Sequence, residues 1–230
     1  MIDCPFARPP NVLRPVLSLA LGWAIGCASP PPAPEDVALD SPPRPANLQL
    51  VPSETPVPLF DWTERVDFDG FRHWFGRRED FVQRCEGAPS REAAGHALLR
   101  GDHGEAERLT APLVAACPVD PSFHLWRFAA LAALDRTSEA DLHRTWYLGL
   151  IESILTTGDG RSAETPIVTI SNAETWAVLS HLGLTAERHR TEAGPPALDI
   201  VEVRSEDGAQ TRLYFHPAFR ALRASARAAR

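Results

Sequence analysis

The sequence predicts an α+β fold in which helical hairpins pack on a small, mostly antiparallel sheet crossed by one helix. Three observations predict it. Residues 67–155 place apolar side chains at the 3.6-residue period of amphipathic helices. From residue 157 the pattern changes to short runs rich in β-branched residues, bounded by glycine, proline and serine. Asp207-Gly208 stands between two of these runs, a strong hairpin-turn pair.

The chain begins with a targeting pattern. Arg14 supplies a positive charge, Pro15 to Ile25 an apolar run, and Ala24-Ile25-Gly26-Cys27 the small residues and cysteine that close it. The run has the length of a secretory signal and is too short to span a bilayer. Its end resembles the lipobox of bacterial lipoproteins, which implies that residues 1–26 are removed and that Cys27 carries the lipid. No aspartate follows Cys27, and in such signals this favours the outer membrane. Asp3 and three prolines ahead of Val12 fit a leader poorly, so a true start near Val12 is one reading of the first eleven residues. Residues 27–59 carry PPPAP, SPPRP and VPSETPVP. Proline fixes φ and removes donors, so an extended, semi-rigid tether is expected there.

What remains suits one domain with a hydrophobic core. All 23 basic residues are arginine, and the chain carries a net charge of −7. An acidic body argues against general nucleic-acid binding. Besides Cys4 and Cys27 the chain has Cys85 and Cys117, and two thiols in an oxidising compartment invite a disulfide.

In the helical part, 60–156, Ala93–Arg100 and Ala106–Cys117 flank the turn GDHGEA. Asp120 is a good N-cap, followed by Pro121 at the favoured first helical position. Phe123, Trp126, Ala130, Leu131 and Leu134 form an apolar stripe on that helix. After a break at Asp135–Ser138, Leu142, Trp146, Leu150, Ile154 and Leu155 share one face of the next. Pro112 falls inside a helix, where it is expected to kink or split it. If the first two helices form an antiparallel hairpin, Cys85 and Cys117 come within disulfide reach. Glu105-Ala106 recurs as Glu139-Ala140 after 34 residues, the tetratricopeptide period. With Ala94 and Pro118 in place, the segment resembles two degenerate tetratricopeptide-like units. Two units do not bury a solenoid core alone, so another element must cap them.

The small α/β part, 157–217, is the expected cap. Thr157-Gly158-Asp159-Gly160 stops the preceding helix, with glycine at the left-handed position. Pro166–Ile170 is a short strand, after which Ser171 or Asn172 caps a helix through Trp176, Val178, Leu179 and Leu182, ended by Gly183. Leu184–Arg190, Leu198–Val203 and Thr211–Phe215 are the remaining strands. In the tail, 218–230, Arg220, Arg223, Arg227 and Arg230 lie on one helical face. That face is either solvated or anchored, on anionic lipid or on the protein's own acidic surface.

The run ESILTTGDGRSAETPIVTISNAETWAVLSHLGL (Glu152–Leu184) resembles the central signature of bacterial domain-of-unknown-function family 4919. There a helix leads through Gly-Asp-Gly to a strand and to a helix closing on Leu-Gly-Leu. The segment DFDGFRHWF (Asp67–Phe75) and the terminal hairpin resemble that family too, so the likeness covers most of residues 60–217. The family has no assigned activity, so the resemblance implies a fold and no mechanism.

Catalytic signatures are sparse. Asp159 between two glycines is the one candidate acid, and as a bland alternative it belongs to a helix cap and an Asp-Gly turn. The eight histidines lack metal-ligand spacing, no Gly-x-Ser-x-Gly elbow is present, and no lysine exists to reach a phosphate. No metal or cofactor is therefore expected. Most tryptophans, Trp126, Trp146 and Trp176 among them, are expected in the core, with Trp62 as the exception at the start of the domain. The leading expectation is a protein-interaction module, held on the membrane through its N-terminal lipid and binding an unknown envelope protein. The alternative is an envelope hydrolase with its site around Asp159.

Overall fold

Asp67 opens the first helix by accepting a hydrogen bond from the Gly70 amide, and α1 runs over Phe68–Gly76. A computed structural model describes residues 49–58, 66–87 and 90–228. Cys27, Trp62 and the expected leader, residues 1–26, lie outside the described residues. Residues Asn47–Arg230 form one compact unit, so the helical and α/β parts share a single body.

The described end of the proline-rich stretch is not a spacer. Val51 exchanges backbone hydrogen bonds with Arg77 and Glu79, and Val57 packs on the core. Arg78, fully buried, donates to the Ser53 and Thr55 carbonyls and to the Asp80 carboxylate. Any tether therefore ends before Val51 rather than at residue 59.

After a short π-helix, Val82–Glu86, come two helical hairpins. The first is α2 (Ser90–Leu99) with α3 (His103–Ala116), and the second α4 (Pro121–Ala133) with α5 (Thr137–Leu155). Asp120 caps α4 with its carboxylate, as its position predicts, and Asp102 of the turn does the same for α3. Ala106 and Ala140, one 34-residue period apart, are both buried. With Ala97, Ala106 and Ala130 fully buried, small side chains let α2, α3 and α4 approach closely. Pro112 does not split α3, which continues for four residues beyond it. Proline there removes one amide donor from the helix ladder. Leu134, expected on the apolar stripe of α4, is instead the C-cap and is exposed.

Gly160, not Gly158, takes the left-handed conformation after α5, with φ +66°. Gly158 is small for another reason: a Cβ there would lie 2.4 Å from the Pro166 carbonyl oxygen. Beyond it come β1 (Ile167–Thr169), α6 (Asn172–His181), β2 (Thr185–Glu192), β3 (Leu198–Arg204) and β4 (Gln210–Pro217). Ser171 is the cap of α6. The sheet order is β1-β4-β3-β2, antiparallel except for the parallel pair β1–β4. Val201, Val203, Leu213 and Phe215 face α5 and α6. The second core lies among the helices, around Phe71, Phe75, Phe123 and Trp146. A large apolar side chain buried this fully contributes about 1.5–3 kcal/mol. The C-terminal helix α7 (Arg220–Ala228) is docked. Phe219 enters the core ahead of it, and Arg223 donates to the Gly76 and Ile170 carbonyls.

Candidate interaction surface

Asp159 sits on an exposed turn and its carboxylate is occupied. It accepts from the Arg161 amide at 3.0 Å and from Thr165 Oγ1 at 2.6 Å, and the Thr165 hydrogen bond holds its pKa below the usual carboxylate range. Both bonds close the loop between α5 and β1. An acid held ionised in its own turn is a structural element first. Among the described residues no cluster of three or more His, Cys, Asp or Glu side chains is placed to hold a metal ion.

Cys85 and Cys117 are joined in a disulfide, with Cα atoms 5.1 Å apart. The hairpin geometry brings the start of α2 beside the end of α3, as the sequence predicts. Arg91 braces this corner. It donates to the Cys85 carbonyl and to the buried Asp120 carboxylate, and its guanidinium lies 4.3 Å from the Phe123 ring centroid.

Two histidines 19 residues apart in the sequence meet between α4 and α5. His124 Nδ1 and His143 Nδ1 are 3.1 Å apart. Arg127 Nε donates to His143 Nε2, and Pro118 O accepts from His124 Nε2. These outer partners assign the inner proton to His143 Nδ1, with both rings neutral. Burial pushes His124 down to about 3, and burial with the adjacent Arg127 pushes His143 down to about 4. Every ring nitrogen of the pair has a partner. The pair is a polar clamp between helices.

Among the described residues the outer side of β2 pairs with no other strand, and the exposed Trp176 lies beside it. Trp176 is 45 % exposed on α6, against the expectation of a core residue. Its ring meets His189 of β2 edge-on, with centroids 6.0 Å apart. The helix phase explains the outward turn. Glu174, Ala177 and Val178 face inward, and Glu174 is drawn there by the buried Arg72 guanidinium. Trp176, two residues beyond Glu174, then falls on the opposite side at about 200°.

β2 ends the sheet and is exposed except at Ala186. Its register breaks between Ala186 and Arg188, and the Glu187 carboxylate there accepts from Arg204 and Gln210. A bulge and charges are the usual guards of a free edge; the bulge lies in the first half of β2, and the second half carries the paired charges of Arg190 and Glu192. The second half is regular and well held. Thr191 Oγ1 donates to Asp199 at 2.6 Å, His189 Nε2 lies 3.6 Å from the same carboxylate, and Arg220 binds it with two nitrogens. Burial opposes ionisation of Asp199, but the hydrogen bonds from Arg220 and Thr191 outweigh it and hold the pKa low. Of the two anchors expected for the basic tail, Arg220 thus uses the protein's own acid.

No family model, curated protein or solved structure matches the chain. Among the described residues no helix is long and apolar enough to cross a membrane.

Proposed function

We propose that this is a lipid-anchored bacterial envelope protein that works through protein contacts rather than catalysis. Acylation at Cys27 would hold it on the outer membrane, and its contacts are made at Trp176 and the second half of β2. The lipobox-like residues and the likeness to family 4919 support the address and the fold class. The observation that carries the contact reading is Trp176, a large aromatic 45 % exposed beside an open strand edge. Buried aromatics anchor interfaces, and main-chain groups of an open edge accept a further strand. The hydrolase alternative has less support, because Asp159 is committed to its turn.

Site-specific photo-cross-linking in intact envelopes tests this. A photoreactive residue in place of Trp176 is expected to give a discrete protein adduct. The same residue in place of Leu99, exposed at the end of α2, is expected to give none. No adduct at 176, or the same adducts from both positions, would count against the reading.

A further inference from the structure

We infer that β2 pairs with β2 of a second copy of this chain, antiparallel and centred on Thr191. The inference rests on the contact surface proposed above and names its occupant. The sheet has two edges, and the fold closes one of them. Along β1 the Val168 amide donates to Thr157 Oγ1 and the Val168 carbonyl accepts from Arg72. Along β2 no neighbouring strand among the described residues pairs with the outer side.

The residues of β2 select the register. Around a two-fold axis through Thr191, Arg190 lies opposite Glu192 of the second copy, and this happens twice. His189 then lies opposite Ala193, and Thr191 opposite itself. Opposite charges and a Thr–Thr pair are favourable cross-strand partners. An axis through Arg190 sets that arginine against its own copy, and one through His189 sets Arg188 against Arg190. An axis through Glu192 sets the two glutamates together. Thr191 is the centre with two opposite-charge pairs and no like pair.

The geometry on either side agrees. Arg190 and Glu192 now pair with each other at 3.0 Å, with side chains 55 % and 51 % exposed. An ion pair this exposed exchanges partners readily. On the α6 side, the small Ala193 of the second copy faces His189 and leaves room for the Trp176 ring that overhangs it. Asp199 holds Thr191 and His189 in place before any partner arrives. The Glu187 bulge confines pairing to the segment around Thr191. The contact is isologous, so it uses up both edges and stops at a dimer.

The test uses the full chain in native envelopes, with Thr191→Cys read on non-reducing gels. A disulfide-linked dimer is expected. Thr185→Cys, which lies roughly 20 Å along the strand from the axis, is expected to give none. In the Thr191→Cys background, Arg190→Glu alone or Glu192→Arg alone places like charges together and should cut dimer yield at least about tenfold. Co-expressing the two single variants restores opposite charges at both positions and should recover the dimer. Melting curves of each variant confirm that the fold is kept. Equal yields from positions 191 and 185, or single charge variants that link as well as their parent, would overturn the inference. If position 176 captures a different protein while position 191 gives no dimer, the second copy is the wrong occupant and the contact surface stands. If neither position gives an adduct, both readings fail.

Discussion

Arg72 and Glu174, 102 residues apart, form a two-pronged ion pair with both side chains fully buried, at 2.8 and 2.9 Å. Arg72 also donates to the Ser153 and Val168 carbonyls, and Glu174 accepts from the Ile170 amide. One guanidinium thus joins α1, α5, β1 and α6. Removing either partner strands a charge in the core. Arg72→Ala or Glu174→Ala is expected to cost about 3–5 kcal/mol. Arg72→Met with Glu174→Leu should recover part of that loss, which denaturant titration of the three variants measures.

The Cys85–Cys117 disulfide closes a loop of 32 residues. In the chain-entropy account such a loop contributes about 3–4 kcal/mol. Reduction, or Cys85→Ser with Cys117→Ser, should lower the urea midpoint accordingly. Thiol titration of the unfolded, non-reduced protein should find neither cysteine free.

Acid should weaken the fold well above the carboxylate range. His124 is held to about 3 by burial, and His143 to about 4. In the unfolded chain both titrate near 6.5. A folded pKa below the unfolded one means that stability is complete above about pH 6.5 and is lost progressively as pH falls toward the folded values. For His124 the loss between pH 7 and 5 is about 2 kcal/mol. His143 acts in the same direction, with solvent screening its share. Asp199, whose pKa is lowered, contributes stability that is present above about pH 4 and is lost only below it. Urea midpoints at pH 7, 6 and 5 check this, and a flat profile contradicts it.

Asp159→Asn keeps an acceptor for the Arg161 amide and Thr165 hydroxyl. On an exposed turn its expected effect is within about 0.5 kcal/mol, with the adducts from position 176 unchanged. A variant that melts normally but loses function in cells would favour the hydrolase.

Where the fold rests on local chemistry, the sequence was readable. Asp120-Pro121 starts α4, Gly183 ends α6 at φ +67°, and Asp207-Gly208 turns β3 into β4 with φ +86° at the glycine. The disulfide followed from one hairpin. Tertiary pairings were not readable. His124 and His143 lie 19 residues apart on facing helices, and no local spacing marks them as partners. The outward turn of Trp176 has the same cause. Its stripe is apolar in sequence, but the phase of α6 is set by Glu174 reaching a buried arginine on α1. The described end of the proline-rich stretch reads as spacer in sequence because its partner, Arg78, acts on backbone carbonyls and leaves no trace in side-chain pattern.

The proposed acyl group on Cys27 would hold this fold on a membrane, where its contacts would be made. Metabolic labelling with palmitate, followed by envelope fractionation, tests it most directly. Label is expected in the wild-type chain, and Cys27→Ser is expected to lose both the label and the membrane fraction. A Cys27→Ser chain that still takes label and still fractionates with membranes would contradict it.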